Sequence, residues 1–216
     1  MALMISGHII EVTPSRPEPE IVSQAATVIE TGGIVVAPTE TRYGLLARAD
    51  CSQTVERVFD LKGRSGDRAV AVFLRDITEA GRVAHLDRCA HDLAERFLPG
   101  PLTLILRRRP ECRLAVGRGA TIGIRISSSP VIQAILTETN VPLTATSANI
   151  SGGQEPDTIT ELVQCFGERV NLYLDGGPLT GPPSTVVDCT RCAPTVLRQG
   201  AIAERLIRNA VGGRVK

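Results

Sequence analysis

A chain of 216 residues that is 43% hydrophobic and 22% charged suits one ordinary globular domain, a body that buries roughly 70% of its unfolded surface. Lys and Arg number 24 against 23 Asp and Glu, which excludes a whole-molecule field that would gather nucleic acid or an anionic membrane; a polyanion site has to be a local cluster. Aromatics are 3% with no Trp, no long apolar run occurs, and the opening MALMISGHII lacks a basic leader, so we expect a soluble cytoplasmic protein with a Val, Ile, Leu and Ala core of strands against helices.

Ile9 to Val12 reads as an N-terminal strand, and the Pro-rich TPSRPEPE after it as a connector. Ile21, Ala25, Val28 and Ile29 recur at helical spacing until Gly32-Gly33 stops the helix before a buried strand, Ile34 to Ala37. A helix face of Val55, Val58, Phe59 and Lys62 follows, then a strand over Ala69 to Leu74, then a helix face of Ala90, Leu93, Ala94 and Phe97 that Pro99-Gly100 ends. Strands are expected over Leu102 to Leu106 and Ile122 to Ile126, a helix over Val131 to Thr139, and a strand over Leu143 to Thr146 running into SANISGG. A helix from about Thr160 to Phe166 and strands near Leu172, Val186 and Val196 complete the order. The last pieces look antiparallel, which points to a mixed sheet. GGPLTGPP at 176 to 183 reads as a loop, and with no linker or repeat the whole of 1–216 reads as one domain, with 203–216 as a C-terminal tail.

Six cysteines without a secretory signal read as free thiols, and the C-x-x-C of Cys189 and Cys192 lacks the second ligand pair a structural zinc site needs. Other common signatures are missing too: no G-x-x-x-x-G-K-[ST], no H-E-x-x-H and no G-x-S-x-G. Gly117, Gly119 and Gly123 fall short of a dinucleotide fingerprint because the last glycine comes one residue late. What stands out are strand-end segments rich in hydroxyl, glycine and cationic groups: PTETRYGL at 38 to 45, KGR at 62 to 64 and TSANISG at 146 to 152. In α/β sheets ligands collect at such ends. Each segment alone also reads as turn chemistry, with Thr39 and Thr41 capping, Gly44 turning, and Lys62 and Arg64 on a solvated helix end.

In chain order, GGIVVAPTETRYGL, KGR, PGPLT, TIGIR, SANISG, STVVD and LRQG resemble the YrdC-like family of threonylcarbamoyl-AMP synthases, over about residues 25 to 202. The resemblance implies an α/β YrdC/RibB-like fold, a twisted mixed sheet flanked by helices with a ligand cleft at strand ends. It implies a nucleotidyltransferase that joins the amine of L-threonine to CO2 or bicarbonate and lets the carbamate displace pyrophosphate from ATP, for a tRNA modification. Such a reaction needs no enzyme nucleophile; it needs cations around several converging anions, with Mg²⁺ on the phosphates. By resemblance, Lys62 and Arg64 serve the reacting centre. Arg64, Arg68, Thr121, Ser147, Asn149 and Arg198 are assigned to ATP, and Thr41, Arg125 and Ser184 to L-threonine, with Tyr43 packed beside them. Arg125 closes an apolar strand, where a guanidinium must have an anionic partner. The chain is similar to the short, single-domain branch of the family, which would hand its product to a separate threonylcarbamoyl-transfer complex.

The sequence departs from the family pattern at Arg42, in place of an apolar residue, at Phe73, where many members carry His, at SSSP over 127 to 130, and at SGDRAVAVF after KGR. These departures leave open a relative that makes another carbamoyl or acyl adenylate. The run Arg107-Arg108-Arg109, followed by Arg113 and Arg118, reads as a solvated loop after a strand. Contact with tRNA is its alternative reading, and a non-catalytic RNA-binding protein is the third functional hypothesis.

Overall fold

A computed structural model of the chain describes residues 8–63, 69–117, 119–191 and 193–212. Its strands are β1 (His8–Glu11), β2 (Val35–Pro38), β3 (Tyr43–Leu46), β4 (Ala71–Phe73), β5 (Ala84–His85), β6 (Leu102–Arg108), β7 (Thr121–Arg125), β8 (Leu143–Ser147), β9 (Leu172–Asp175), β10 (Thr185–Asp188) and β11 (Thr195–Arg198). Its helices are α1 (Pro19–Glu30), α2 (Ser52–Leu61), α3 (Ile77–Val83), α4 (Arg88–Phe97), α5 (Pro130–Thr139), α6 (Ile159–Phe166) and α7 (Glu204–Ala210). The strands form one mixed sheet in the order β1-β9-β2-β3-β8-β4-β7-β6-β10-β11, with β5 paired to β6. The pairs β1/β9, β2/β9, β4/β7 and β6/β10 are parallel. The final β10/β11 pair is antiparallel, as its sequence suggests.

Side-chain alternation explains how the layers stack, because successive residues of a strand point to opposite faces. Val35, Ala37, Leu46, Leu172 and Leu174 pack with Ala25 and Ile29 of α1 and Val131, Ile132 and Ile135 of α5. Their neighbours Ile34, Val36, Tyr43, Leu45 and Tyr173 turn the other way, onto Val58 and Leu61 of α2 and Ile159, Leu162 and Phe166 of α6. Strands β2, β3 and β9 are therefore covered on both sides and carry mostly apolar residues.

The other half is covered differently. Val72, Leu104, Leu106, Ile122, Ile124 and Val187 pack against Ala80 of α3, Ala90 and Leu93 of α4 and Ile207 of α7. The alternate residues Ala71, Phe73, Thr103, Ile105, Arg125 and Val186 line a cleft instead. Phe73 and Ala145 belong both to the core under α1 and α5 and to the cleft lining, so the cleft opens where that helix pair ends. Gly123 keeps the floor low: a Cβ there would stand 2.9 Å from the Cβ of Ala71 and 3.2 Å from Cδ1 of Ile105.

Several elements differ from the sequence reading. PTETRYGL is not all loop, since Tyr43–Leu46 form β3 and Gly44 pairs with Ser147 across the ladder rather than turning the chain. The stretch read as a C-terminal tail contains α7, whose Ile207 and the following Val211 are buried in the core. The basic run is not a solvated loop either. Arg107 and Arg108 extend β6 by pairing with β5 and β7. Arg108 then donates to the carbonyls of Gly117 and Leu114, and Arg109 Nε donates to that of Gly81 at 2.7 Å. Gly117 and Leu114 lie in a loop and Gly81 in the last turn of α3, where carbonyls lack ladder or intrahelical partners, which is why these arginines turn inward. Arg118 and Cys192 lie outside the described residues; Cys51, Cys89, Cys112, Cys165 and Cys189 are free thiols. Among the described residues no helix is long and apolar enough to cross a membrane.

Candidate active site

The cleft is a cavity of about 200 Å³ whose lining includes Thr39, Thr41, Tyr43, Phe73, Arg125, Ser147, Ser184 and Arg198. One wall is the turn between β2 and β3. Thr39 Oγ1 donates to the Arg42 carbonyl at 2.7 Å and accepts from the amides of Thr41 (3.0 Å) and Arg42 (3.2 Å), so one hydroxyl ties the segment into a compact turn. The turn buries Thr41, 5% exposed, and points its hydroxyl at Arg125.

Arg125 ends β7 and is 8% exposed. Its Nη2 donates to Thr41 Oγ1 at 2.7 Å and to Glu40 Oε1 at 3.0 Å, while Ser127 donates to the other Glu40 oxygen. The ladder pairs Phe73 with Arg125, and the guanidinium carbon lies 5.4 Å from the ring centroid, within cation–π range. Arg125 Nε is buried and has no hydrogen-bond partner among the described residues. An unmet buried donor costs roughly 1–3 kcal/mol, more for a charged group, so the acceptor it lacks is to be sought in the cleft, and a carboxylate matches the guanidinium fork best. SSSP, a departure in the sequence, contributes here: Ser127 holds Glu40, and Ser129 caps α5, which starts at Pro130.

The facing wall comes from β10 and β11. Ser184, 4% exposed, shares a 2.9 Å hydrogen bond with Thr103 Oγ1 and accepts from Arg198 Nη2 at 3.2 Å. Arg198 also donates to the Ser184 carbonyl at 3.0 Å, and its place opposite Val186 in the ladder turns it to the cleft. Although the residue is exposed overall, its guanidinium is drawn below its ordinary value, chiefly by desolvation; Glu155 pulls it back up and Arg125 pushes it further down. The two arginines thus feel one another across the cavity.

Lys62 contradicts the reading as a solvated helix end, for it is fully buried behind the C-terminus of α2. Its Nζ donates to the carbonyls of Ser147 (2.6 Å) and Asn149 (3.0 Å) and to Asn149 Oδ1 (3.1 Å). Ser147 Oγ donates to the same Asn149 Oδ1 at 2.7 Å, and Asn149 Nδ2 donates to the Gly153 carbonyl at 3.2 Å. The SANISGG segment is wrapped around an ammonium, and these acceptors are what make a buried lysine tolerable. Tyr43 is a structural pin: it donates to the Gly177 carbonyl at 2.7 Å, and burial pushes its phenol up to about 12.

Of the residues singled out in the sequence, Thr41, Arg125, Ser147, Ser184 and Arg198 line one cavity. Lys62 and Asn149 stand immediately behind Ser147. Thr121 is exposed at the start of β7, on the same strand face as Arg125 but about 13 Å along the strand and outside the cavity lining. Arg64 and Arg68 lie outside the described residues. Glu40, Thr103 and Arg42 were not singled out as site residues. For Glu40 a signal existed, since Arg125 demanded an anion; for Thr103 there was none.

Residues 27–200 match the Sua5/YciO/YrdC family model, described as telomere recombination. The threonylcarbamoyl-AMP synthase of Bacillus subtilis is 34% identical over 203 residues, which cover 92% of this chain and 58% of that protein. The crystal structure of Pyrococcus abyssi Sua5 complexed with L-threonine has a TM-score of 0.90 at 32% identity, covering 96% of this chain and 62% of that one. The crystal structure of Escherichia coli YciO has a TM-score of 0.83 at 28% identity, covering 91% of this chain and 97% of that one. The chain therefore spans 58% and 62% of the Bacillus and Pyrococcus proteins and nearly all of YciO. With a family model matched over residues 27–200 and a Bacillus relative 34% identical across 92% of the chain, the chain belongs to the Sua5/YciO/YrdC family.

Proposed function

We propose that this protein is an L-threonylcarbamoyl-AMP synthase, forming threonylcarbamoyl-adenylate and pyrophosphate from L-threonine, bicarbonate or CO2, and ATP. The observation that carries the proposal is Arg125: a buried guanidinium with an unmet Nε, set between Thr41 and Phe73 in a cleft that also gathers Ser147, Ser184 and Arg198. The threonine carboxylate would take Arg125 Nε, with Thr41 and Ser184 orienting the amino acid. A cavity of about 200 Å³ holds an amino acid but is small for a nucleotide, so ATP would lie partly on the open sheet face, towards Thr121. Its phosphates would meet Arg198 and the loop stiffened by Lys62 and Asn149, with Arg64 and Arg68 as further cations. The relative from Pyrococcus in complex with L-threonine supports the amino-acid half of this reading.

In the reaction, the threonine nitrogen bonds to the carbon of CO2 and gives up a proton. A carbamate oxygen then bonds to the α-phosphorus as the bond to pyrophosphate breaks. The chain's part is to hold two anions together and to stabilise the phosphoryl charge. Among the described residues no group of His, Cys, Asp and Glu side chains could hold a metal, and Glu40, Glu155 and Asp157 are each engaged by an arginine, so a Mg²⁺ ion would be held by phosphate oxygens and water. The product would pass to a separate threonylcarbamoyl-transfer complex acting on tRNA.

Incubation with ATP, Mg²⁺, bicarbonate and single amino acids, followed by pyrophosphate assay and mass detection of the adenylate, tests the proposal. Threonine-dependent turnover that disappears in Arg125→Ala and Lys62→Ala is expected. Turnover with another amino acid alone would favour the second reading, a relative making a different carbamoyl adenylate, for which Phe73 in the cleft wall is the motivating feature.

A further inference from the structure

We propose that Arg42, at the cleft wall, is a positioning residue that clasps together two loops, the one that follows Asn149 and the one that leads into Ser184, and so fixes the spacing between the nucleotide side and the amino-acid side. The inference rests on the reading of the cleft given above. The Arg42 side chain is 15% exposed. Its Nε donates to Glu155 Oε2 at 3.0 Å and its Nη2 to the Glu155 carbonyl at 3.0 Å. Its Nη1 donates to Asp157 Oδ1 at 2.5 Å and to the Leu179 carbonyl at 2.6 Å. A guanidinium so fully engaged by its own fold is not a cation held ready for phosphate; it is a fastener.

The two segments are irregular chain between β8 and α6 and between β9 and β10, so side-chain bonds rather than a ladder or helix set their shape. They meet through one backbone bond, Leu179 N to the Asp157 carbonyl at 2.9 Å. Tyr43, next to Arg42, holds the same loop by donating to the Gly177 carbonyl at 2.7 Å. Arg42 and Tyr43 together hold the stretch that delivers Ser184 to Thr103 and Arg198. On the other side, the Glu155 carboxylate acts electrostatically on Arg198, so the charge of the clasped loop is felt there. Without Arg42 both loops would have to be ordered by the substrates on binding. That penalty falls on affinity more than on turnover of the filled site.

The test compares Arg42→Leu, Arg42→Lys and the triple variant Arg42→Leu, Glu155→Gln, Asp157→Asn with the wild type. Amide hydrogen exchange is read over 153–158 and 176–183, and KM and kcat for ATP and threonine are measured alongside. We expect both segments to exchange faster together in all three variants while β2 and β9 stay protected. We also expect KM for each substrate to rise roughly tenfold with a smaller change in kcat, the loss of hydrogen bonds to charged partners being of that size. A merely structural role would reduce the active fraction, and hence kcat, and leave KM in place. Lysine keeps the charge but not the fork, so wild-type behaviour of Arg42→Lys would overturn the clasp. So would restoration of KM in the triple variant, which would mean that Arg42 acts only by neutralising Glu155 and Asp157, and so would exchange that quickens in one segment or in neither. Absence of threonine-dependent turnover in the wild type would sink the proposed function, whereas the exchange measurement would still decide the clasp.

Discussion

Replacing Arg125 separates its pairing with Glu40 from the role proposed for Nε, which is to meet the threonine carboxylate. The Glu40 and Arg125 side chains are 14% and 10% exposed, so Arg125→Ala leaves a largely buried carboxylate without the guanidinium that balances it. Loss of one partner from a fully buried pair costs about 3–5 kcal/mol; residual solvent access at Glu40 brings the expectation to about 2–4 kcal/mol. For a chain of this size that lowers Tm by roughly 5–15 °C. Adding Glu40→Gln removes the orphaned charge, so the double variant should recover more than half of the lost stability. It should recover none of the threonine binding, because Nε is gone. Urea unfolding supplies the stability cycle, and threonine titration with pyrophosphate release supplies the functional one. The reasoning is refuted if Arg125→Ala is as stable as the wild type, or if the double variant binds threonine normally.

Other outcomes follow from the same geometry. Lys62→Met keeps the stem but leaves the acceptors around Ser147 and Asn149 without their ammonium, so activity should fall at least a hundredfold and exchange over 147–153 should quicken. Gly123→Ala forces a Cβ to within 2.9 Å of Ala71, and should destabilise by about 1–3 kcal/mol and weaken threonine binding, as read by urea melts and KM. Burial raises Tyr43 and Tyr173 from 10.0 to about 12, and Cys189 from 9.0 to about 12. Each folded value lies above the unfolded one, so the native state binds more protons, and the stabilisation is complete below about pH 9 and lost as pH climbs to about 12. Urea midpoints should therefore decline over that window, and Tyr173→Phe should flatten part of the decline.

Periodicity located most elements because strands and helices with a buried face carry that face in their own residues. The strand β3 escaped notice because Thr39, Thr41 and Gly44 resemble a turn, and only pairing of Gly44 with Ser147, more than a hundred positions away in the chain, makes it a strand. The short α3 has little room for a period, and α7 looked like a tail because Ile207 and Val211 are few. Within the cleft, the motif order led to Thr41, Arg125, Ser147, Ser184 and Arg198, whose side chains do converge. Partnership was harder to read. Lys62 looked solvated since its acceptors lie beyond residue 146, and Arg42 looked like an anomaly since Glu155, Asp157 and Leu179 become its neighbours only after the sheet is assembled.

A sheet half whose described helices cover a single face leaves the other, with Ala71, Phe73, Thr103, Ile105, Arg125 and Val186, lining an open cleft. Bound substrates would supply the missing layer, so occupancy and folding should be thermodynamically linked. At a hundred times the dissociation constant a ligand specific to the native form adds about 2.7 kcal/mol. The concentration of its own reactants would then set how long this protein survives heat.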